Sequence, residues 1–411
     1  MAGAALIGRF PALRYPNFRR YAVGQVISLA GFWMQSVAQG WLVYRLSGSE
    51  LALGAVAFVG YFPVFLCSPV AGVVADRFDK RRLILVTQSL AMLLAIVQGL
   101  VVVTGVATVP IVAAMAFLMG VIGAFDLPTR QSFMIDLVSG EDLAGAIAFN
   151  ASVFNTARVV GPAIAGVVVA TVGEGPCFFL NGASYVAALW AVIGMRFDRP
   201  RRPVVTGRAT GLRSGLAYVR RRPVLAALLG ALGVVSMLAL QANVIMPSLA
   251  HRVFGREAQG YSGLLTAYGA GAVITALRLA SRKYTDAEYR QNLLLGLGGM
   301  AMGLLVVAAS PRYELALLGQ LVAGFGMLRY TATTNALVQL LVDDGFRGRV
   351  MGLHTVMFVG TAPFGALILG TIGARFGPQA AVAVSGAGAC LVAVWLATRL
   401  PRKLLGTGAP E

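Results

Sequence analysis

Apolar blocks of about 20 residues or more, broken by charge, glycine or proline, run along the whole chain. A hydrocarbon core of about 30 Å takes roughly 20 helical residues to cross, so each block reads as a membrane-spanning helix. The breaks predict spans at 20–45, 51–75, 83–105, 109–136, 142–172 and 177–196, then at 223–249, 260–281, 290–309, 314–341, 348–374 and 378–399. That is an all-α membrane protein of twelve helices in two sets of six. The longest polar stretch, 197–222, contains DRPRRPVVTGRATGLRSGLAYVRRR and separates the sets. The expected domains are an N-terminal bundle (1–196), a cytoplasmic basic linker (197–222) and a C-terminal bundle with a short tail (223–411). With Arg9, Arg14, Arg19 and Arg20, the amino terminus is too charged for a removable signal peptide, so the first block is expected to stay as a helix.

Composition agrees with this pattern. Of 411 residues 58% are hydrophobic and only 12% charged, with mean hydropathy +0.77, against roughly 25% charged in a soluble domain. Twelve spans leave no room for a soluble catalytic domain. The net charge of +18 would point to nucleic acid in a soluble chain, but here it is a topology signal. With the amino terminus inside, 27 of the 34 basic residues fall on the cytoplasmic side and 5 in outer loops, which places both termini in the cytoplasm. Cys67, Cys177 and Cys390 stand singly without CxxC spacing, and are expected to be buried thiols rather than a disulfide or metal framework.

The two halves repeat. The segments GVIGAFDLPTRQSFMIDLV (120–138) and GFGMLRYTATTNALVQLLV (324–342) align at an offset of 204, and Gly161–Pro162 corresponds to Ala362–Pro363 at an offset of 201. Parallel repetition of two six-helix halves predicts a secondary transporter with its substrate site at mid-membrane. Channels and membrane enzymes do not predict that duplication.

Between spans two and three stands Gly72-Val-Val-Ala-Asp76-Arg77-Phe-Asp79-Lys80-Arg81-Arg82. A positive-inside loop explains the bases but not glycine and aspartate at that spacing. The motif resembles the G-x-x-x-D-R-x-x-R-R loop of the major facilitator superfamily, which implies a gate latch. In it Asp76 faces a neighbouring helix amino terminus and the bases anchor the cytoplasmic side. The corresponding stretch of the second half, 271–283, lacks the acid. In span five, Arg158-Val-Val-Gly161-Pro162-Ala-Ile-Ala-Gly166 is similar to the glycine–proline motif that marks exporters and antiporters of that superfamily. Pro162 has no N–H for the Arg158 carbonyl and the glycines thin the helix. The expected result is a bendable hinge packing against the other half, with Pro363 as its counterpart. Segments 14–49, 136–166 and 347–353 resemble the enterobactin-exporter and macrolide-efflux branch, whose members carry unrelated cargoes. The resemblance implies the major facilitator fold. One departure is that residues 114–119 before Gly120 hold no arginine, whereas many proton-coupled drug antiporters have one there.

Ionisable residues deep in spans are costly and therefore candidates for function. Asp126 and Arg130 share a face of span four one turn apart, Arg158 is near the middle of span five, and Arg329 on span ten lies one position from Tyr330, the repeat equivalent of Asp126. In the superfamily spans one, four, seven and ten line the cavity, so the resemblance puts Asp126 and Arg329 on facing walls; Asp126 could instead only neutralise Arg130 or Arg158. On span one, Gln25, Ser28, Gln35 and Gln39 form a polar stripe that should face water or a partner helix, and a cavity lining is the expectation. Trp33, Gln241, Asn243, Tyr268, Asn335 and His354 are further cavity candidates. Met351, His354 and Met357 recur every three residues but read as core packing rather than a soft-metal site.

No nucleophile–base pair, ligand cluster or Walker-type loop occurs, so neither an enzyme nor direct use of ATP is expected, and no cofactor or metal is implied. The favoured reading is a monomeric proton-coupled exporter of amphipathic small molecules, of drug or siderophore type. It would work by alternating access in the lipid of a bacterial inner membrane, with no nucleic acid partner. A proton- or sodium-coupled metabolite importer and a lipid flippase are the alternatives.

Overall fold

The computed structural model describes residues 11–195, 212–279, 285–343 and 345–401, apart from the side chains of a few helical positions that include Gly72 and Asp76. Helix is the only regular element among the described residues, and twelve spans are long and apolar enough to cross a bilayer. A membrane core offers no water to backbone N–H and C=O groups, so each segment satisfies its own. The first six spans are α1 (Pro16–Ser47), α2 (Glu50–Arg77), α3 (Lys80–Val103), α4 (Val109–Leu137), α5 (Leu143–Val172) and α6 (Gly175–Ile193). After the amphipathic α7 (Leu212–Arg220), the second six comprise α8 (Pro223–Leu238) with α9 (Met246–Arg252), α10 (Ala258–Leu279), α11 (Asp286–Ala309), α12 (Tyr313–Leu341), α13 (Arg347–Thr355) with α14 (Ala362–Phe376), and α15 (Pro378–Arg399).

Two spans of the second set are interrupted. A 3-10 turn at Leu240–Ile245 separates α8 from α9, and a turn of π-helix at Val356–Gly360 separates α13 from α14, with Pro363 in the first turn of the restarted helix. Proline suits that position because its missing N–H has no intrahelical acceptor there. Its counterpart Pro162 lies inside an unbroken α5.

Turn chemistry differs at the two ends of the spans. Gly48, Gly105, Gly173, Gly255 and Gly377, in five of the turns joining an odd span to the next even one, have φ between 60° and 88°, a conformation costly for any residue with a Cβ. At the opposite ends side chains cap the helices. Asp79 accepts from the Arg82 N–H at 2.7 Å ahead of α3, and Thr285 with Glu288 forms a capping box ahead of α11.

The chain divides into two compact units, Met1–Leu46 with Phe62–Gly207, and Ser47–Tyr61 with Arg208–Glu411. The first half of α2 thus groups with the second unit, which the domain expectation did not include. Two contacts explain the grouping. Gly54 and Gly370 are so close that a Cβ built on either would come within 2.9 Å of the other's Cα, and the buried Glu50 carboxylate accepts from Ser248 and from Arg252 at 2.6 Å.

In the first unit, the 3-10 turn Pro11–Arg14 caps a core of Phe18, Tyr21, Ile84, Phe133 and Met195. In the second, α11 and α12 meet along a glycine seam. A Cβ at Gly296 would stand 2.6 Å from the Tyr330 nitrogen, and one at Gly319 would stand 2.8 Å from the Gly303 carbonyl. Small residues permit such backbone approach where helices associate without a hydrophobic driving force. Large side chains such as Val167, Trp190 and Leu391 point outward and form the lipid-facing surface.

Candidate functional site

Among the described residues, the first unit carries one ion pair in the interior of its spans and a separate cation, Arg158, on α5. Asp126 and Arg130, one turn apart on α4, form an ion pair at 2.6 Å with side chains 15% and 14% exposed. The Asp126 carboxylate also accepts from Thr87 at 2.7 Å and Gln88 at 3.0 Å on α3, while Arg130 donates to Gln25 on α1 at 2.6 Å. Four polar groups on three helices therefore hang on one carboxylate, Gln25 among them through Arg130. A charge this far from water persists only when paired and hydrogen-bonded. The sequence expectation left Arg130 or Arg158 as the partner of Asp126; the structure shows Arg130 in that place. The Arg158 guanidinium lies over the rings of Trp33 (5.1 Å) and Phe154 (5.2 Å), a cation–π arrangement joining α5 to α1.

The polar stripe of α1 turns to partner helices, where a cavity lining was expected. Gln35 donates to Gln98 on α3 at 3.3 Å and accepts from Asn181 on α6 at 2.5 Å; Gln98 in turn donates to Gln39 at 3.1 Å, and Ser184 bonds Asn181 at 3.0 Å. An amide ladder satisfies itself without water, so the groups that looked like a wet wall join three helices instead. Ser28 is 3% exposed on the same face.

At the expected α5 hinge, the structure shows one close contact within the first unit. Gly161 is pressed against α1, where a Cβ would overlap the Trp33 side chain and meet the Ala30 carbonyl at 2.9 Å. Its missing side chain serves a contact inside its own unit. Gly166 is buried one turn beyond Pro162.

Of the cytoplasmic motif, the side chains of Gly72 and Asp76 lie outside the described positions, so the latch expectation rests on the sequence alone. Among its bases, Lys80 pairs with Asp136 at 3.0 Å and donates to the Ser132 carbonyl, and Arg81 donates to the Ile193 carbonyl at 2.8 Å, while Arg77 is exposed. Arg82 supplies the N–H that Asp79 caps. These bonds tie the start of α3 to the ends of α4 and α6.

In the second unit Arg329 on α12 directs Nε and Nη2 at one acceptor, the Asn292 Oδ1 on α11, at 3.0 and 2.6 Å. Gln241 and Asn243 sit in the 3-10 break of the seventh span; Gln241 donates to the Ser236 carbonyl, and the buried Asn243 Oδ1 has no hydrogen-bond partner. His354 stacks on Phe358 with centroids 6.2 Å apart, beside the π turn. Tyr268 is buried where Gly324 crosses α10, and Asn335 accepts from Gln339 at 3.3 Å.

Reading by span missed Thr87, Gln88, Gln98, Asn181 and Asn292. Each is a polar residue within or at the edge of an apolar block, and that signal was available. Their weight came from pairing across helices, which no single-helix pattern contains.

The sequence matches the family described as transmembrane secretion effectors over residues 7–404. Similar proteins include the staphyloferrin A transporter of Staphylococcus aureus (25% identical over 84% of this chain and 87% of that protein) and the multidrug efflux pump Tap of Mycolicibacterium fortuitum (27%, covering 92% and 91%). The enterobactin exporter EntS of Shigella flexneri is 25% identical, covering 93% and 91%. Among solved structures, the nucleoside transporter NupG superposes with a TM-score of 0.71 at 11% identity over 93% of this chain and 99% of that one. A bacterial homologue of the human lysosomal transporter Spinster gives 0.69 at 14% identity over 96% and 97%.

Proposed function

Because the chain belongs to the transmembrane secretion effector family of the major facilitator superfamily, and is thus a multi-pass inner-membrane transporter, we propose that it exports amphipathic small molecules by proton-driven alternating access. Export is the printed role of two of the relatives, the Tap pump and EntS. The observation that carries the coupling is Asp126, whose carboxylate holds Arg130, Thr87 and Gln88 at once and, through Arg130, Gln25. Proton uptake there removes the charge that Arg130 balances and weakens the bonds joining α3 and α4, and through Arg130 those reaching α1. Proton binding is thereby linked to the packing of three spans. A membrane potential supplies about 2.3 kcal/mol per charge per 100 mV, enough for roughly fiftyfold accumulation per charge moved. Both termini face the cytoplasm, as the distribution of basic residues supports, and the working unit is a monomer.

The test uses the purified full-length protein in proteoliposomes, with amphipathic fluorescent dyes as cargo and an imposed pH gradient. Asp126→Asn should abolish proton-driven transport while leaving dye exchange at equilibrium. Full proton-driven activity in that variant rules out Asp126 as the carrier. Everted vesicles report direction: an exporter loads dye when the lumen is acid, and an importer does not.

A further inference from the structure

The two halves treat buried charge differently. In the first unit Arg130 is neutralised by Asp126. At the repeat-equivalent positions the second unit has Tyr330 and Thr334, both buried and neutral. It carries its cation one residue earlier, at Arg329. No described carboxylate lies within ion-pair distance of that guanidinium, whose only hydrogen-bond acceptor among the described residues is the neutral Asn292 amide oxygen. Arg329 is about midway along a 29-residue span, where an unbalanced charge costs several kcal/mol. A chain that keeps such a charge gains something from it.

The surroundings indicate what. Asn292 is 6% exposed and engages the Nε and Nη2 edge, so it fixes the guanidinium plane without cancelling its charge. Arg329 is partly buried, and its Nη1 has no protein partner among the described residues. Phe325, one turn away on α12, lies 5.8 Å from the guanidinium and gives the site an apolar flank. The glycine seam of Gly296, Gly299 and Gly326 locks α11 against α12 directly beside the pair, so the cation is held on a rigid scaffold. A cation fixed in direction, with one donor face free and an aromatic flank, has the form of a receptor for an anionic head group on an apolar body.

We propose that Arg329 and Asn292 form an anion-recognition subsite, and that the cargo carries an acidic group, of which a carboxylate is the simplest. The subsite rests on the exporter reading for its use and names the charge class of the cargo. Asn292 acts as a positioning residue and Arg329 makes the contact with the ligand.

The experiment measures equilibrium binding of three pyrene probes to the full-length protein in nanodiscs, with binding to empty discs subtracted. Pyrenebutyrate, its neutral amide and pyrenebutylamine share one apolar body and differ only in head-group charge. The wild type should bind the carboxylate at least tenfold tighter than the amide and exclude the amine. Arg329→Gln should remove that preference while amide binding persists, Arg329→Lys should retain part of it, and Asn292→Asp, which supplies the missing counter-charge, should abolish it. Thermal unfolding identifies a variant that has not folded, and Asn292→Asp then carries the test. Equal binding of the three probes by the wild type, no carboxylate binding, or an unchanged preference in Arg329→Gln or Asn292→Asp overturns the proposal. The same probes in proteoliposomes keep the two readings apart. Proton-driven export with no charge preference removes the subsite and leaves the exporter, whereas Arg329-dependent binding without export does the reverse.

Discussion

Replacing Gly296 by alanine tests whether the α11–α12 seam is as tight as its geometry states. An added Cβ would lie 2.6 Å from the Tyr330 nitrogen, 2.9 Å from its Cα and 3.0 Å from the Gly326 carbonyl. All three are backbone atoms that no rotamer change can move. Unstrained contact needs roughly 3.5 Å, so the helices must part by about 0.9 Å or bend. Overpacking of this kind costs about 1–3 kcal/mol. Alanine is also the better helix former, by about 1 kcal/mol over glycine, and the two effects oppose each other. A net loss of up to about 2 kcal/mol is expected, or a fall in Tm of up to roughly 8 °C for a unit of this size. Gly298, two residues along the same helix, is the internal control. A Cβ there meets no atom within 4 Å, so Gly298→Ala should raise Tm by up to a few degrees. The assay is thermal unfolding in detergent, followed by size-exclusion chromatography. Equal gains from both substitutions would refute the close approach, because propensity alone predicts the same sign at each site.

Other substitutions probe the remaining contacts. Gln35→Leu leaves the Asn181 and Gln98 amides without their shared partner and should cost about 1–3 kcal/mol, read as a lower Tm; a neutral result would mean that the ladder holds nothing together. Glu50→Gln removes the carboxylate that binds Ser248 and Arg252. With Arg252 half exposed, the loss should be about 1 kcal/mol and should shrink in high salt; salt-independence would exclude the ion pair as its source. Arg130→Gln leaves the Asp126 carboxylate without its cation and should cost about 3–5 kcal/mol. The double variant with Asp126→Asn should recover part of that loss, and simple additivity would rule out coupling between the two residues.

The spans were legible because hydrocarbon thickness and hydropathy set them almost independently of tertiary contacts. The breaks at Leu240–Ile245 and Val356–Gly360 were not, because Val356–Gly360 is as apolar as its neighbours, Gln241 and Asn243 suit the polar face of an unbroken helix equally well, and the interruptions are fixed by packing. Gly365 is pressed on the Met237 backbone and Ser236 donates to the Phe358 carbonyl. Asp126, Arg130 and Arg329 stood out as charges in apolar blocks, but the sequence could not say that one cation is cancelled and the other only held in place. That difference depends on Asn292, which looks like an ordinary polar residue near a helix start. The α1 glutamines show the reverse error. Their helical spacing was correct, but a polar face serves a neighbouring helix as well as water, and only Gln98 and Asn181 decide between them.

The amide ladder of Gln35, Gln39, Gln98 and Asn181 has an electrical consequence. Amides neither titrate nor carry net charge, so a field across the membrane exerts no net force on them and a pH jump does not change them. The bonds of this ladder, which join α1, α3 and α6, are therefore indifferent to both components of the proton-motive force. Whatever work that force does must act on the few formal charges inside the spans, so gating current in this protein should vanish when those residues are neutralised and persist when the ladder is altered.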